Sequence, residues 1–341
     1  MNLYKVVPEV QLLILQFFAD IARYAELENL GDKRKELLYK VIVEILRIYA
    51  ETSAGQKRLL TQEEEADRPY ADIVTVLTLL SNVMTSEFET FSKRIEVSSL
   101  YGSGGSGSHL ATSPNIADVV LFGINILIPN INLEMLKIPD LCQHYIKLIS
   151  NLVSYFPDKL SGIPPSLLNN LLGSLEYGIG HDITDVNVLS FQAIAPLASW
   201  AYTQTLHNGK IFVSHMASMP GPSDPCLFHV VPIDFLKPSL AKFLHLQLQL
   251  LLFKEFDPRI LDAASAALLP LICFCRSTYL QLVNQIISQQ PSEVQARLLA
   301  SFEKLDAVIP HGTPDAARHN PVFHEALLVF LRDVRGIIRT K

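Results

Sequence analysis

The sequence has 341 residues, of which 49% are apolar and 18% charged, and its formal net charge is −6. This composition excludes a chain that is disordered throughout, because disorder requires low hydrophobicity and high net charge. Four cysteines are too few to cross-link a chain of this length, so a disulfide-stabilised scaffold is excluded as well. The acidic balance argues against direct binding of nucleic acid or of an anionic membrane surface.

No segment has the pattern of a signal peptide or of a membrane-spanning helix. Lys5, Glu9 and Asp20 interrupt the apolar N-terminal stretch at the intervals of an amphipathic helix. The longest uncharged stretch, 186–209, contains Pro196 and several polar side chains. A membrane span needs about 20 predominantly apolar residues, so we expect no membrane insertion.

Apolar residues recur at three- and four-residue steps along most of the chain, which predicts helices. The first two cover 10–24 and 37–49, with a break at Gly31-Asp32 between them. Sustained alternation at period two, which would indicate strands, is almost absent. Further helices are expected at about 70–90, 117–128, 139–155, 165–179, 185–205, 233–253, 259–274, 277–288, 291–305 and 321–339.

The predicted helices form pairs of roughly 40–47 residues, which is the spacing of HEAT units. We therefore predict an all-α fold, an α-solenoid of HEAT-like antiparallel helix pairs wound into an armadillo-type superhelix. A single continuous array over residues 1–341 is expected. Irregular insertions are predicted at about 52–69, 98–116 and 206–232, where the sequence is polar, Gly/Ser-rich and Pro-rich in turn.

Residues 102–107 formally match the G-x-G-x-x-G pattern of a dinucleotide site. That function needs a strand before the glycines and a helix opening on the third one. Here the preceding residues are polar, and the next predicted helix begins several residues later. We interpret the segment as a linker and predict no cofactor.

The sequence contains no convincing catalytic or metal-binding motif. Cys273 and Cys275 lie in an apolar predicted helix, where we expect both in the core. His181-Asp182 lies between two predicted helices and is interpreted as a cap rather than as half of a catalytic dyad. Neither H-E-x-x-H nor G-x-S-x-G occurs. The sequence therefore favours a protein that is not an enzyme and binds no metal.

Carboxylates concentrate in the first third of the chain. The group at 63–67 precedes the helix that begins near Tyr70, where the helix dipole favours anions for structural reasons alone. Glu87 and Glu89 lie at the other end of that helix, where carboxylates are slightly unfavourable. The alternative to a structural role is an acidic surface that receives a cationic side chain of a partner. Its candidate residues are Glu51, Glu63, Glu64, Glu65, Asp67, Glu87 and Glu89.

The last predicted helix has a cationic face that carries Arg332, Arg335 and Arg339. Cations are favourable near a helix C-terminus, so we interpret this face as solvated. The opposite, apolar face carries Leu327, Leu331, Val334 and Ile338.

The chain contains four recognisable strings: LTQEEEADRPYADIVTVLTLLSNVMTSEFETFS, ADVVLFGINILIP, LCQHYIKLISNLVSYFPDK and FLRDVRGIIRTK. They resemble the C-terminal part of exportins, nuclear transport receptors of the importin-β (karyopherin) superfamily. The resemblance extends from about 30 to 205 and resumes from about 233 to 341. Members of this superfamily are HEAT-repeat superhelices, which agrees with the helix pairs predicted above.

The resemblance implies a receptor that carries folded cargo through nuclear pores with Ran-GTP, contacts nucleoporins and shuttles between nucleus and cytoplasm. It implies cargoes such as a hypusine-bearing translation factor or Smad-type transcription factors. Because hypusine is a long cation, the acidic residues become the candidate cargo surface. Exportins are several times longer than this chain, so we expect a C-terminal piece whose Ran binding requires the complete receptor. The alternative is a helical-repeat scaffold without transport activity.

Overall fold

A computed structural model describes residues 7–24, 31–53, 70–101, 116–128, 131–132, 134–217, 233–310, 312 and 320–338. These residues form α-helices and short 3₁₀ helices, with no strand among them, so the all-α prediction is confirmed. The chain divides into two compact units, Met1–Phe156 and Pro157–Lys341.

The helices of the first unit are α1 (Pro8–Tyr24), α2 (Asp32–Ser53), α3 (Ala71–Tyr101), α4 (Ile116–Leu127) and α5 (Pro139–Tyr155). The helices of the second unit are α6 (Pro165–Ile179), α7 (Thr184–Ala217), α8 (Lys237–Phe253), α9 (Arg259–Phe274), α10 (Arg276–Ser288), α11 (Ser292–Asp306) and α12 (Pro321–Arg335).

The first unit stacks its helices in two layers. In one layer α3 packs against both α1 and α5, and in the other α2 packs against α4. Each helix thus packs against its second neighbour in sequence, which is how antiparallel helix pairs stack in a solenoid. The apolar face of α3 supplies much of the core, and Leu77, Leu80 and Met84 are fully buried there.

The second unit repeats this arrangement. α8 packs against both α6 and α10, and α7 packs extensively against α9. α11 lies against α10, and α12 contacts α8, α9 and α11. Phe302 of α11 and Phe330 of α12 meet with their ring centroids 4.8 Å apart. Both units therefore have the layered helix pairs that the sequence predicts.

Two prolines interrupt the neighbouring helices α7 and α9. The beginnings of these helices lie together, because the Arg259 guanidinium is 3.6 Å from the Asp185 carboxylate. Pro196 lies 11 residues beyond Asp185, and Pro270 lies 11 residues beyond Arg259. At 1.5 Å per residue, each proline is about 17 Å along its helix. Pro196 and Pro270 therefore lie within about one helical turn of the same level in the layer.

A second contact, further along the two helices, shows their relative direction. Tyr202 of α7 packs against Cys273 and Phe274 at the end of α9. The two helices therefore run in the same direction. Beyond Cys275, α10 continues from α9 across a bend of 108°. None of the described helices is by itself long and apolar enough to cross a membrane, and only α9 and α10 together meet that test.

The structure confirms most helix boundaries but extends two helices. Prolines begin α5, α6 and α12 as predicted, since the first turn of a helix does not need their missing N–H. In contrast, α3 continues to Tyr101 and α7 to Ala217, into segments predicted to be irregular. Neither extension contains proline, and the single glycine at 209 costs a helix only about 1 kcal/mol.

Residues 54–69, 102–115 and 218–232, which include the glycine-rich segment, lie outside the described residues. The single continuous array stays a prediction.

Candidate partner-contacting surfaces

The described residues include only part of the predicted acidic surface. Glu51 lies in the last turn of α2, where its side chain is exposed. Glu87 and Glu89 belong to α3. The remaining four candidates, Glu63, Glu64, Glu65 and Asp67, lie outside the described residues. The acidic surface therefore stays a prediction.

The backbone nevertheless separates two ends of this predicted surface. The Tyr49 hydroxyl donates a hydrogen bond of 2.8 Å to Asp72 Oδ2, which joins the end of α2 to the beginning of α3. Glu51 therefore lies near the beginning of α3. Glu87 is 15 residues beyond Asp72, or about 22 Å along the helix. The backbone of α3 therefore places Glu87 about four helical turns from the junction with α2.

Another exposed carboxylate on α2 is already paired. Glu44 shares the face of Glu51, seven residues earlier, and its carboxylate is 3.2 Å from the Arg47 guanidinium. Both side chains of this pair are more than half exposed, so the pair adds little to stability.

The second unit contains a groove that no sequence pattern indicates. Two adjoining cavities of about 310 Å³ and 270 Å³ open beside the α6–α7 and α8–α9 turns. Ile179, Gly180, Leu250 and Lys254 line both cavities. These residues come from two segments roughly 70 positions apart, so only the fold brings them together.

The second of these cavities has a charged rim. Asp182, Glu255 and Asp257 line it, and Arg259 binds Asp257 at 2.9 Å through its Nη2. These hydrogen bonds from Arg259 hold the pKa of the Asp257 carboxyl below its ordinary value. The turns thus present a polar surface whose charges are partly compensated, and the groove is large enough for a side chain of a partner.

His181 has a structural role in the α6–α7 turn, as predicted. Its Nδ1 accepts a hydrogen bond of 3.0 Å from the Ile183 N–H. The Asn187 side chain donates to the carbonyl of Ile183, 3.2 Å away. These bonds close the turn that leads into α7.

The described cysteines are not activated nucleophiles. Burial raises the pKa of the Cys142, Cys273 and Cys275 thiols to about 11. Cys275 is buried, as predicted, whereas Cys273 is only half-buried and directs its sulfur towards the Pro310 carbonyl. A thiol with such a pKa stays protonated and weakly nucleophilic near neutral pH.

The cationic face of α12 is less solvated than predicted. Its apolar residues are buried and Arg332 is exposed, as expected. Arg335, however, donates from Nη2 to the Lys254 carbonyl at 2.7 Å, and its guanidinium lies 4.9 Å from the ring centroid of Phe256. The side chain thereby caps α8, which the spacing along α12 did not indicate. Arg339 lies outside the described residues.

Stacked helix pairs such as those of the described residues are typical of protein-binding helical repeats. The family model for Exportin-4 matches residues 1–341, so the chain belongs to the exportin-4 family, a family of karyopherin-type export receptors. Exportin-4 of Dictyostelium discoideum is 24% identical over 342 residues, which cover 99% of this chain and 26% of that protein. The chain therefore spans about a quarter of the length of this relative. The resemblance to exportins is confirmed.

Proposed function

We propose that this chain forms part of a nuclear export receptor that binds protein cargo together with Ran-GTP and carries it through the nuclear pore. The observation that carries the proposal is the family match over residues 1–341, together with the two layers of stacked helices. Such a receptor shuttles between nucleus and cytoplasm and contacts nucleoporins on the way.

Within this receptor, the chain supplies cargo-contacting repeats of the C-terminal part. A cationic cargo, such as a hypusine-bearing translation factor, fits the carboxylates predicted for the first unit, and Smad-type factors are a second cargo class. We infer two groups of candidate carboxylates, one near Glu51 and another at Glu87 and Glu89, because about four turns of α3 lie between the α2–α3 junction and Glu87. A single long cation would engage one group and not both.

A chimeric receptor tests the proposal directly. The chain replaces the matching quarter of Dictyostelium discoideum exportin-4, and the tagged chimera is used to capture Ran-GTP and a hypusine-bearing translation factor. We expect both proteins to be retained. Retention of cargo that is indifferent to Ran-GTP would favour a helical-repeat scaffold without transport activity.

Charge reversals in the chimera then locate the cargo surface. The first variant carries Glu63→Lys, Glu64→Lys and Glu65→Lys, the second Asp67→Lys and Glu51→Lys, and the third Glu87→Lys and Glu89→Lys. We expect at least one of them to lose about 10-fold in cargo affinity while its Ran-GTP binding is unchanged, which corresponds to about 1.4 kcal/mol.

The matched control places reversals on α11, at the exposed Glu293 and Glu303. This variant has the same change of charge as the third one, but at residues outside the predicted surface, and should bind cargo normally. Unchanged cargo affinity in all three acidic variants contradicts the acidic surface. That result would not contradict the transport function, which is tested separately by whether cargo retention depends on Ran-GTP.

A further inference from the structure

A small polar cluster lies in the second unit where α10 begins and α11 ends. Arg276 is the first residue of α10, and its Nη2 is hydrogen-bonded to Oδ2 of Asp306, the last residue of α11. Tyr279, one helical turn further along α10, is 1% exposed. The Arg276 guanidinium carbon is 5.5 Å from the centroid of the Tyr279 ring.

Three polar atoms of this cluster are sealed from solvent and have no hydrogen-bond partner. They are the Tyr279 hydroxyl, Nη1 of Arg276 and Oδ1 of Asp306. Buried polar atoms in native proteins are nearly always hydrogen-bonded, and a buried group left unpaired is costly. Three such atoms on adjoining side chains therefore indicate a shared partner.

The chemistry of the three atoms defines this partner. Arg276 Nη1 only donates, Asp306 Oδ1 only accepts, and the Tyr279 hydroxyl can do either. An anion would be repelled by the carboxylate and a cation by the guanidinium. A neutral molecule that both accepts and donates satisfies all three atoms. Buried water typically makes about three hydrogen bonds of this kind.

We propose that a buried water molecule bridges Arg276, Asp306 and Tyr279. It accepts from Arg276 Nη1, donates to Asp306 Oδ1 and forms its third hydrogen bond with the Tyr279 hydroxyl. The water thereby links α10 to the end of α11, just after the sharp bend between α9 and α10.

The direction in which one substitution changes the stability of the chain tests this proposal. If the Tyr279 hydroxyl binds the water, Tyr279→Phe removes a hydrogen bond, and the unfolding equilibrium constant rises roughly 2- to 10-fold. If the hydroxyl has no partner, the same substitution removes a buried unpaired group and the constant falls. Urea unfolding of the full chain, followed by tyrosine fluorescence and circular dichroism, measures the direction of the change.

A matched control calibrates this measurement. Tyr202 is also buried, and its hydroxyl accepts directly from the Gly312 N–H at 3.1 Å. Tyr202→Phe therefore loses a protein–protein hydrogen bond and should destabilise the chain whether or not the water exists. A stabilising Tyr279→Phe beside a destabilising Tyr202→Phe overturns the proposal.

A crystal structure of the full chain distinguishes the water from a direct contact. We expect a solvent peak within about 3.2 Å of the three atoms. We also expect this peak to weaken or disappear in Tyr279→Phe. A direct hydrogen bond between Tyr279 and Asp306, with no solvent peak, overturns the proposal even if Tyr279→Phe is destabilising.

Discussion

The two units bring their helices together at a glycine, but against different neighbours. In the first unit, Gly123 of α4 faces the end of the Leu80 side chain on α3, 2.7 Å from where a Cβ would lie. In the second unit, Gly178 of α6 faces Ser190 of α7, where a Cβ would overlap Oγ and approach the serine Cβ to 3.1 Å. A leucine terminus can move aside, whereas a serine Cβ is fixed to its backbone. An added side chain at Gly178 should therefore be tolerated less well than one at Gly123.

Both units also use a side-chain amide to bind the backbone of a neighbouring helix. In the first unit, Asn82 Nδ2 of α3 donates to the Ala19 carbonyl of α1 at 3.0 Å. In the second, Gln247 Nε2 of α8 donates to the Ala264 carbonyl of α9. The Gln247 side chain is fully buried and its Oε1 has no partner, whereas Asn82 is half-buried. The same type of bond therefore has a higher desolvation cost in the second unit.

The largest expected effect is that of Gly178→Ala. The new methyl group must displace Ser190, whose Oγ also donates to the Val186 carbonyl at 2.8 Å. We expect a loss of about 3 kcal/mol in the free energy of unfolding, at the upper end for overpacking. Urea unfolding of the variant measures it.

Gly173→Ala is the matched control on the same helix, because nothing lies within 4 Å of its Cβ position. It should stabilise the chain by up to about 1 kcal/mol through helix propensity. Equal effects at the two glycines would contradict the close approach of α6 and α7.

Gly123→Ala should cost less, about 1 kcal/mol. Leu80 can change rotamer to admit the methyl group, and alanine restores part of the helix propensity that glycine lacks. Unfolding of Gly123→Ala beside Gly178→Ala tests whether the neighbour decides the cost. A larger loss for Gly123→Ala than for Gly178→Ala would refute this explanation.

Asn82→Ala removes the hydrogen bond between α3 and α1 and should cost about 1 kcal/mol, the usual net value of such a bond. Hydrogen exchange of the α1 amides should also become faster, because α1 loses a contact with its layer. An unchanged free energy of unfolding would mean that solvent replaces the bond at no cost.

The smallest effect is expected for Gln247→Met. Methionine fills a similar volume, and the substitution removes the unpaired Oε1 together with the donor. The Ala264 carbonyl lies inside α9 and keeps Leu268 N–H as its helical donor. Because it is not left unpaired and the buried Oε1 is removed, we expect a change within about 0.5 kcal/mol. A loss of several kcal/mol would show that the Ala264 carbonyl depends on this bond.

The fold was largely predictable because helices and their pairing are local properties of the sequence. Apolar spacing and the prolines at 139, 165 and 321 locate the helices and several of their beginnings. The extensions to Tyr101 and Ala217 are not predictable from composition, because polar residues alone do not end a helix without a proline or a favourable cap.

The candidate sites were less predictable, because they depend on which segments meet. Arg335 binds Lys254, 81 positions earlier, and no local spacing indicates this contact. The groove beside the α6–α7 and α8–α9 turns is equally unpredictable, because its lining comes from two segments that are distant in the sequence. For the acidic surface, the sequence shows a concentration of carboxylates. Only the fold shows that α2 ends beside Asp72, about 22 Å along α3 from Glu87.

The shared level of Pro196 and Pro270 has a mechanical consequence. Each proline lacks an N–H, so the carbonyl four residues before it receives no helical hydrogen bond. The backbone hydrogen bonding of both helices is therefore interrupted at about the same level, about 17 Å along α7 and α9 from their beginnings. Bending the layer here costs less than elsewhere, because one hydrogen bond of each helix is already missing. We expect the curvature of the second unit to change most easily there, as an elastic joint that needs no unfolding.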